Sequence, residues 1–218
     1  MIITLAGQKG GSGKTTTALC IADEWHRRGR RVLLVDTDPQ ATARTWADVA
    51  GELGKDGPTV IGMGAGFHEK LQPIADGYDV VVIDCPPGHT EIQRAALMVA
   101  DAAVVPCGPG ATDVWSMAET IEIARQARAL RPGLHVGILV TRKDARTAIA
   151  DQARAALEAT NLPLFDSALG FRVAYQEAPN EGVGVTRYKP NGAAAGEVSA
   201  LVDELERITG TVELREVQ

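Results

Sequence analysis

Short aliphatic runs alternate along the chain with longer segments in which apolar residues recur every three or four positions. An uninterrupted aliphatic run predicts a strand buried on both faces, whereas the wider spacing predicts a helix with one apolar side. The predicted strands lie at residues 2–6, 32–35, 59–61, 80–83, 102–106, 136–140 and 164–167. The predicted helices lie at residues 14–29, 41–50, 67–76, 90–100, 112–130, 145–160 and 195–208. This alternation indicates an α/β fold, with a doubly wound, mostly parallel sheet flanked by helices.

The predicted elements form a single domain that spans residues 1–218. Hydrophobic residues make up 45% of the chain and aromatic residues only 4%, so we expect a core of Val, Leu, Ile and Ala. Within an irregular stretch at residues 170–193, residues 182–192 are expected to form a long, mobile loop. Residues 209–218 are expected to be a loosely ordered tail. Three widely spaced cysteines indicate neither a disulfide framework nor a metal site, which favours a reducing cytoplasm.

A glycine-rich segment joins the first predicted strand to the first predicted helix. It reads K-G-G-S-G-K-T from Lys9 to Thr15. Strand, glycine-rich loop and then Gly-Lys-Thr at a helix start is the layout of a nucleoside-triphosphate phosphate loop, because glycines let backbone N–H groups surround phosphates. A glycine-rich turn without a ligand is the alternative interpretation. The nucleotide-binding candidates are Gly10, Gly11, Ser12, Gly13, Lys14, Thr15 and Thr16.

Carboxylates follow two of the predicted strands. Asp36 and Asp38 lie at the end of the second strand, and Asp84 ends the strand at residues 80–83. Ligands of α/β sheets bind at the carboxyl ends of the strands, and an aspartate there is suited to Mg²⁺. We therefore predict Thr15, Asp84 and Asp36 as metal-binding residues, the alternative being helix capping or bracing of a loop.

The motif at residues 9–15, D-T-D-P-Q at residues 36–40 and V-T-R-K at residues 140–143 closely resemble the ParA/MinD superfamily of deviant Walker A ATPases. Among these, the chain looks most like the small ParA proteins of the ParF and McdA types. The resemblance implies an ATP hydrolase that uses ATP and Mg²⁺ and forms a homodimer when ATP is bound. It also implies that Lys9 crosses to the partner's ATP. A loop lysine that adds general positive potential is the alternative for Lys9.

The same resemblance assigns further roles. The implied catalytic residues are Lys9, Lys14 and Asp38, with Asp38 orienting the attacking water. Pro109 follows the strand at residues 102–106 and is the candidate for contact with adenine, although turn formation explains that proline equally well. Hydrolysis is expected to be slow until a ParB/ParG-like or McdB-like activator stimulates it. The cargo would be a plasmid, a chromosome or a protein organelle such as a carboxysome.

The resemblance also implies non-specific binding of duplex DNA and a cytoplasmic, nucleoid-associated protein. A net charge of −6 argues against a uniformly basic DNA binder, so local clusters are needed. The candidates are Arg142, Lys143 and Arg146, and a second group of Arg172, Arg187 and Lys189. For each of them a solvated charged surface is the alternative.

Two other functions are compatible with a phosphate loop on this fold. One is a ligase or kinase that uses ATP on a small molecule, which Lys9 and the D-P-Q segment disfavour. The other is a membrane-cycling ATPase of the MinD type, which would need a basic amphipathic tail. The tail at residues 205–218 is acidic instead, so no membrane partner is expected.

Overall fold

The computed structural model describes residues 1–143, 157, 160 and 162–210. Their strands form one seven-stranded sheet in the order β3-β2-β4-β1-β5-β6-β7, and every neighbouring pair is parallel. The parallel α/β fold predicted from the sequence is therefore confirmed. The strands are β1 (Ile2–Leu5), β2 (Val32–Asp36), β3 (Thr59–Gly62), β4 (Val80–Asp84), β5 (Ala102–Cys107), β6 (His135–Lys143) and β7 (Leu164–Gly170).

Helices cover both faces of the sheet. They are α1 (Lys14–Arg27), α2 (Thr42–Glu52), α3 (Phe67–Ala75), α4 (Thr90–Val99), α5 (Ala111–Trp115), α6 (Ala118–Leu130), α7 (Ala174–Glu177), α8 (Val185–Tyr188) and α9 (Ala193–Ile208), with a 3₁₀ turn at Ala178–Glu181. In the part of the chain that the structure describes, no helix is both long and apolar enough to cross a membrane.

Alternate residues of the central strands belong to separate cores because successive side chains of a strand point to opposite faces. Leu34 of β2 packs in the same cluster as Trp25 of α1 and Leu201 of α9. Its neighbour Leu33 packs on the other face with Phe67 and other residues of α3 and α4. The register sets Leu5 and Asp36 beside Asp84, so the ends of β1, β2 and β4 meet at one edge of the sheet.

The predicted helix at residues 112–130 is wrong in its continuity, because α5 and α6 are separate helices. The Ser116 hydroxyl donates a hydrogen bond of 2.6 Å to the carbonyl of Asp113, and the Met117 N–H bonds to Val114, three residues back. A serine side chain that takes a backbone carbonyl in this way competes with the helical ladder. The break leaves α5 as a short helix close to the phosphate loop.

The segment predicted as a long loop is also corrected, because residues 185–188 form α8. Asp23 of α1 accepts a 2.8 Å hydrogen bond from the Gly184 N–H and pairs with the Arg187 guanidinium, and Val185 is fully buried. These contacts join positions more than 160 residues apart in the chain. The local sequence does not reveal them, and its glycines alone suggested a loop. Most of the predicted helix at residues 145–160 and residues 211–218 of the predicted tail lie outside the described residues.

Candidate functional site

The glycine-rich loop between β1 and α1 is held in shape by its neighbours. Gly11 and Gly13 have φ angles of 70° and 99°, a left-handed conformation that glycine adopts without strain. The Thr141 hydroxyl, at the end of β6, donates a 2.9 Å hydrogen bond to the carbonyl of Ser12, and Gln93 donates one of 3.2 Å to the carbonyl of Gly7. The loop is therefore preorganised, and its N–H groups and the start of α1 offer an anion site.

Lys14 lies across this loop. Its ammonium donates a 2.9 Å hydrogen bond to the backbone carbonyl of Lys9. Burial lowers the pKa of Lys14, while the nearby carboxylates of Asp84 and Asp38 act in the opposite direction. A bound phosphate group would supply the anionic partner that this partly desolvated ammonium needs.

Asp84 is buried at the carboxyl end of β4 with only 1% of its surface exposed. Burial raises the pKa of Asp84 to about 7, although the nearby Thr15 hydroxyl acts to lower it. Among the described residues its Oδ1 has no hydrogen-bond partner. A buried carboxylate oxygen without a partner, beside a threonine hydroxyl at a phosphate loop, fits a divalent cation such as Mg²⁺.

The two carboxylates after β2 have different surroundings. Asp36 is buried and accepts hydrogen bonds from the N–H groups of Asp38 and Arg44, at 3.0 and 3.2 Å. Asp38 is half-buried and accepts a 2.8 Å hydrogen bond from the Gln40 N–H. Asp36 therefore braces the loop that presents Asp38, and Asp38 lies close enough to influence both Lys14 and Asp84 electrostatically. The predicted metal-binding role of Asp36 and the predicted water-orienting role of Asp38 remain predictions.

A cavity of about 180 Å³ opens beside the phosphate loop, between α1 and the ends of β6 and β7. Its lining residues include Thr16, Arg142, Phe171, Arg172 and Tyr175, and the Phe171 side chain is exposed. An exposed aromatic ring among arginines suits a flat, stacking group such as a nucleobase. Phe171 and Tyr175 were not predicted from the sequence, because no motif precedes them. Pro109, the predicted adenine contact, is not among the described residues that line this cavity.

The described members of the predicted DNA-binding set have different surroundings. Arg142 and Arg172 line the cavity, and Lys143 is exposed at the end of β6. Most of the set is paired within the chain: Arg142 with Asp113, Arg172 with Glu197, Arg187 with Asp23 and Asp56, and Lys189 with Glu177. Arg146 lies outside the described residues. A role for any of them in DNA binding remains a prediction.

Lys9 projects from the loop towards α5 and forms a 2.9 Å ion pair with Asp113. Its side chain is 36% exposed, so the ammonium is accessible from outside the subunit. This position at the outer edge of the phosphate loop is compatible with the predicted contact to a second subunit.

Replacing Asp84 with asparagine is expected to stabilise the nucleotide-free protein at high pH. The raised pKa contributes stability that is present below about pH 4 and is lost as the pH rises through about 7, where the parent must carry a buried carboxylate. The free energy of unfolding of Asp84→Asn, relative to that of the parent, should therefore rise by about 2–3 kcal/mol between pH 5 and pH 8. Denaturant unfolding without Mg²⁺ at the two pH values measures it. An equal difference in free energy of unfolding at pH 5 and at pH 8 would contradict the raised pKa of Asp84.

Comparisons with known proteins agree with this geometry. The profile of the CobQ/CobB/MinD/ParA nucleotide binding domain matches residues 3–185. The chain is 33% identical over 234 residues to the chromosome-partitioning ATPase Soj of Thermus thermophilus, covering 93% of this chain and 94% of Soj. It is 30% identical over 206 residues to the maintenance of carboxysome distribution protein A of Halothiobacillus neapolitanus, covering 93% and 95%. The Cyanothece McdA(D38A)–ATP complex superimposes with a TM-score of 0.76 at 19% identity, covering 100% of this chain and 98% of McdA, which shows a shared fold.

Proposed function

The chain belongs to the CobQ/CobB/MinD/ParA family of nucleotide-binding domains, and from this premise we propose that it is an ATPase that dimerises with ATP and positions a cargo on DNA. The observation that carries the proposal is the meeting of Lys14, Asp84 and Asp38 at one edge of the sheet, with the second lysine, Lys9, at its outer rim. A site that bound nucleotide without hydrolysis would not need Asp38, and one that acted as a monomer would not need Lys9.

ATP would bind with its phosphates on the loop and its base in the neighbouring cavity. The loop N–H groups and Lys14 would hold the phosphates, and the ring of Phe171 would lie against the base. Mg²⁺, held by Thr15 and Asp84, would neutralise phosphate charge. The unpartnered carboxylate oxygen of Asp84, close to the Thr15 hydroxyl, supports this assignment.

Hydrolysis would depend on positioning and charge. Asp38, presented by the turn that Asp36 braces, would orient water for attack on the γ-phosphate. Lys9 of each subunit would reach the phosphates of the other subunit and offset charge that develops there. Because complete sites then exist only in the dimer, turnover would be slow in the isolated chain and faster when a partner protein favours the productive dimer.

The relatives indicate the class of cargo. One is named for chromosome partitioning and the other for carboxysome distribution, so this chain would position a chromosome, plasmid or protein organelle. Non-specific DNA would be the track, because phosphate contacts need only cations on one face. Of the candidate cations, Lys143 is exposed at the end of β6, close to the nucleotide site. We propose that Lys143 and Arg146 contribute to the DNA-binding face.

Duplex DNA of arbitrary sequence should bind the protein when a non-hydrolysable ATP analogue is present, and should not bind it when ADP is present. Binding should weaken steeply with salt because counterions are released. Replacing both Lys143 and Arg146 with glutamate should lower the affinity about tenfold or more, since two phosphate contacts become repulsive. Fluorescence anisotropy of a labelled duplex at several salt concentrations measures both effects.

A matched control carries the same change in net charge on the segments that flank β3, which lies at the edge of the sheet away from β6 and β7. Lys55 and Lys70 are exposed, and replacing both with glutamate should leave DNA affinity close to that of the parent. Equal losses of DNA affinity in the two double variants would show that the change in net charge, and not the position of Lys143 and Arg146, causes the loss. Turnover that rises with a small carboxylate substrate, and not with DNA, would favour a ligase on this fold. Binding to anionic vesicles in place of DNA would favour a membrane-cycling ATPase.

A further inference from the structure

One carboxylate holds two cations at the rim of the nucleotide site. Asp113 Oδ1 lies 2.9 Å from the Lys9 ammonium and 3.0 Å from the Arg142 guanidinium. Its other oxygen, Oδ2, accepts a 3.1 Å hydrogen bond from the Gly110 N–H and so caps α5. Only 13% of the Asp113 side chain is exposed, compared with 36% for Lys9.

The surrounding backbone fits this cluster closely. A Cβ at Gly108 would lie 2.6 Å from Asp113 Oδ2 and would also meet the Arg142 guanidinium. Arg142 itself has a φ of 54°, a left-handed conformation that is unusual for a residue other than glycine. Such strain persists where surrounding contacts enforce it, and it concentrates at functional sites. Arg142 holds this conformation while its guanidinium contacts Asp113.

Asp113 is ionised in this environment. Burial alone would raise the pKa of Asp113, but the hydrogen bonds from Lys9 and the Gly110 N–H, with the charge of Arg142, hold it below its usual range. A carboxylate this well matched with Lys9 competes with any other anion for that lysine. In the proposed dimer, the competing anion is the phosphate of the nucleotide bound to the second subunit.

We propose that Asp113 is a positioning residue that holds Lys9 against its own subunit. It does so until the phosphate of a nucleotide bound to a second copy of the chain replaces the Asp113 carboxylate as the partner of Lys9. The inference rests on the proposed function, because it requires Lys9 to act across a dimer. Two ion pairs, one per subunit, must open when the dimer forms. Asp113 thereby sets the nucleotide and protein concentrations at which subunits associate, and it keeps the ADP-bound chain monomeric.

Arg142 adjusts this competition because it shares Oδ1 with Lys9. Without Arg142, Lys9 would be the only described cation at that oxygen and would be held more tightly. Removing the carboxylate and removing the arginine should therefore change dimerisation in opposite directions. A purely structural role of Asp113 in capping α5 predicts no such reversal.

The test compares Asp113→Asn with the parent by light scattering across a protein dilution series. The amide oxygen can still accept the Gly110 N–H, so the cap is retained while the charge is lost. With a non-hydrolysable ATP analogue, the concentration at half-dimerisation should fall about tenfold, since an ion pair of this exposure contributes about threefold for each lysine and the factors for the two lysines multiply. Asp113→Glu should restore the parent value. Arg142→Gln should raise it when the analogue is at a saturating concentration, a condition that is needed because Arg142 lines the proposed nucleobase cavity.

Glu177→Gln is the matched control, because it removes the exposed 3.1 Å ion pair with Lys189 and should leave dimerisation unchanged. The fluorescence of Trp115, which is 74% exposed and two residues from Asp113, gives a second readout of dimerisation, since Trp25 and Trp46 are buried. If the parent dimerises and Asp113→Asn does so at the same or a higher concentration, the inference is overturned. A parent that stays monomeric with the ATP analogue overturns the proposed function instead.

Discussion

Replacing Asp38 with alanine is expected to lower ATP turnover by about 10²-fold or more, the usual scale for losing a positioned acid–base group. ATP and Mg²⁺ should still bind, because Lys14, Thr15 and Asp84 do not depend on the Asp38 side chain. The turn itself should survive, since the Asp38 N–H keeps its bond to Asp36 and only the bond to the Gln40 N–H is lost. The trapped ATP state should remain dimeric and bound to DNA.

Steady-state hydrolysis and a nucleotide-binding titration, measured on the same preparation, separate the two steps. Asp38→Asn is the matched variant, because it keeps the side-chain shape and removes the charge, and it should also hydrolyse ATP slowly. Parent-like turnover in Asp38→Ala would show that another residue orients the water. Asp36 would then be the first candidate, despite its bonds to the loop backbone.

Replacing Lys9 with alanine is expected to raise the half-dimerisation concentration by about 10²-fold or more, as for the loss of one partner of a desolvated charge pair. The phosphate loop should keep its form, because Lys14 bonds to the backbone carbonyl of Lys9 and not to its side chain. ATP binding to the monomer should therefore persist, whereas retention on DNA and hydrolysis should be lost.

Lys14→Ala is the informative contrast, since it should remove ATP binding itself. Analytical sizing, nucleotide titration and DNA anisotropy on both variants give the two different patterns. Normal dimerisation of Lys9→Ala would mean that no lysine acts across the interface in this protein. The competition between Asp113 and the partner's phosphate for Lys9 would then have no consequence for assembly.

The strands and the first elements of the site could be predicted because their signals are local. An aliphatic run buried on both faces is apolar at every position, and the carboxyl ends of parallel strands must meet at one edge. Those two rules bring Asp36 and Asp84 together beside the loop, as the register confirms. The glycine pattern also predicted a loop at this position, and within that loop Gly11 and Gly13 adopt left-handed conformations.

The remaining features depend on contacts between distant residues, which no local pattern encodes. The helix α8 is fixed by Asp23, which lies in α1. The split between α5 and α6 is local by contrast, since the Ser116 hydroxyl bonds to the carbonyl of Asp113 three residues back. The cavity beside the loop needs β7 to lie next to β6, and only then do Phe171 and Arg142 line the same space. For that reason Arg142 was interpreted from the sequence as a surface cation, and its link through Asp113 to Lys9 was not predicted.

The most direct test of the proposed function is light scattering of the parent chain at about 10 μM and above, a range set by ordinary micromolar association energies. With ADP and Mg²⁺ the measured mass should be that of the 23.0 kDa monomer. With a non-hydrolysable ATP analogue and Mg²⁺ it should double, and the doubling should be absent in Lys9→Ala. A parent that is monomeric with both nucleotides, or dimeric with both, would contradict an ATP-dependent dimer built around Lys9.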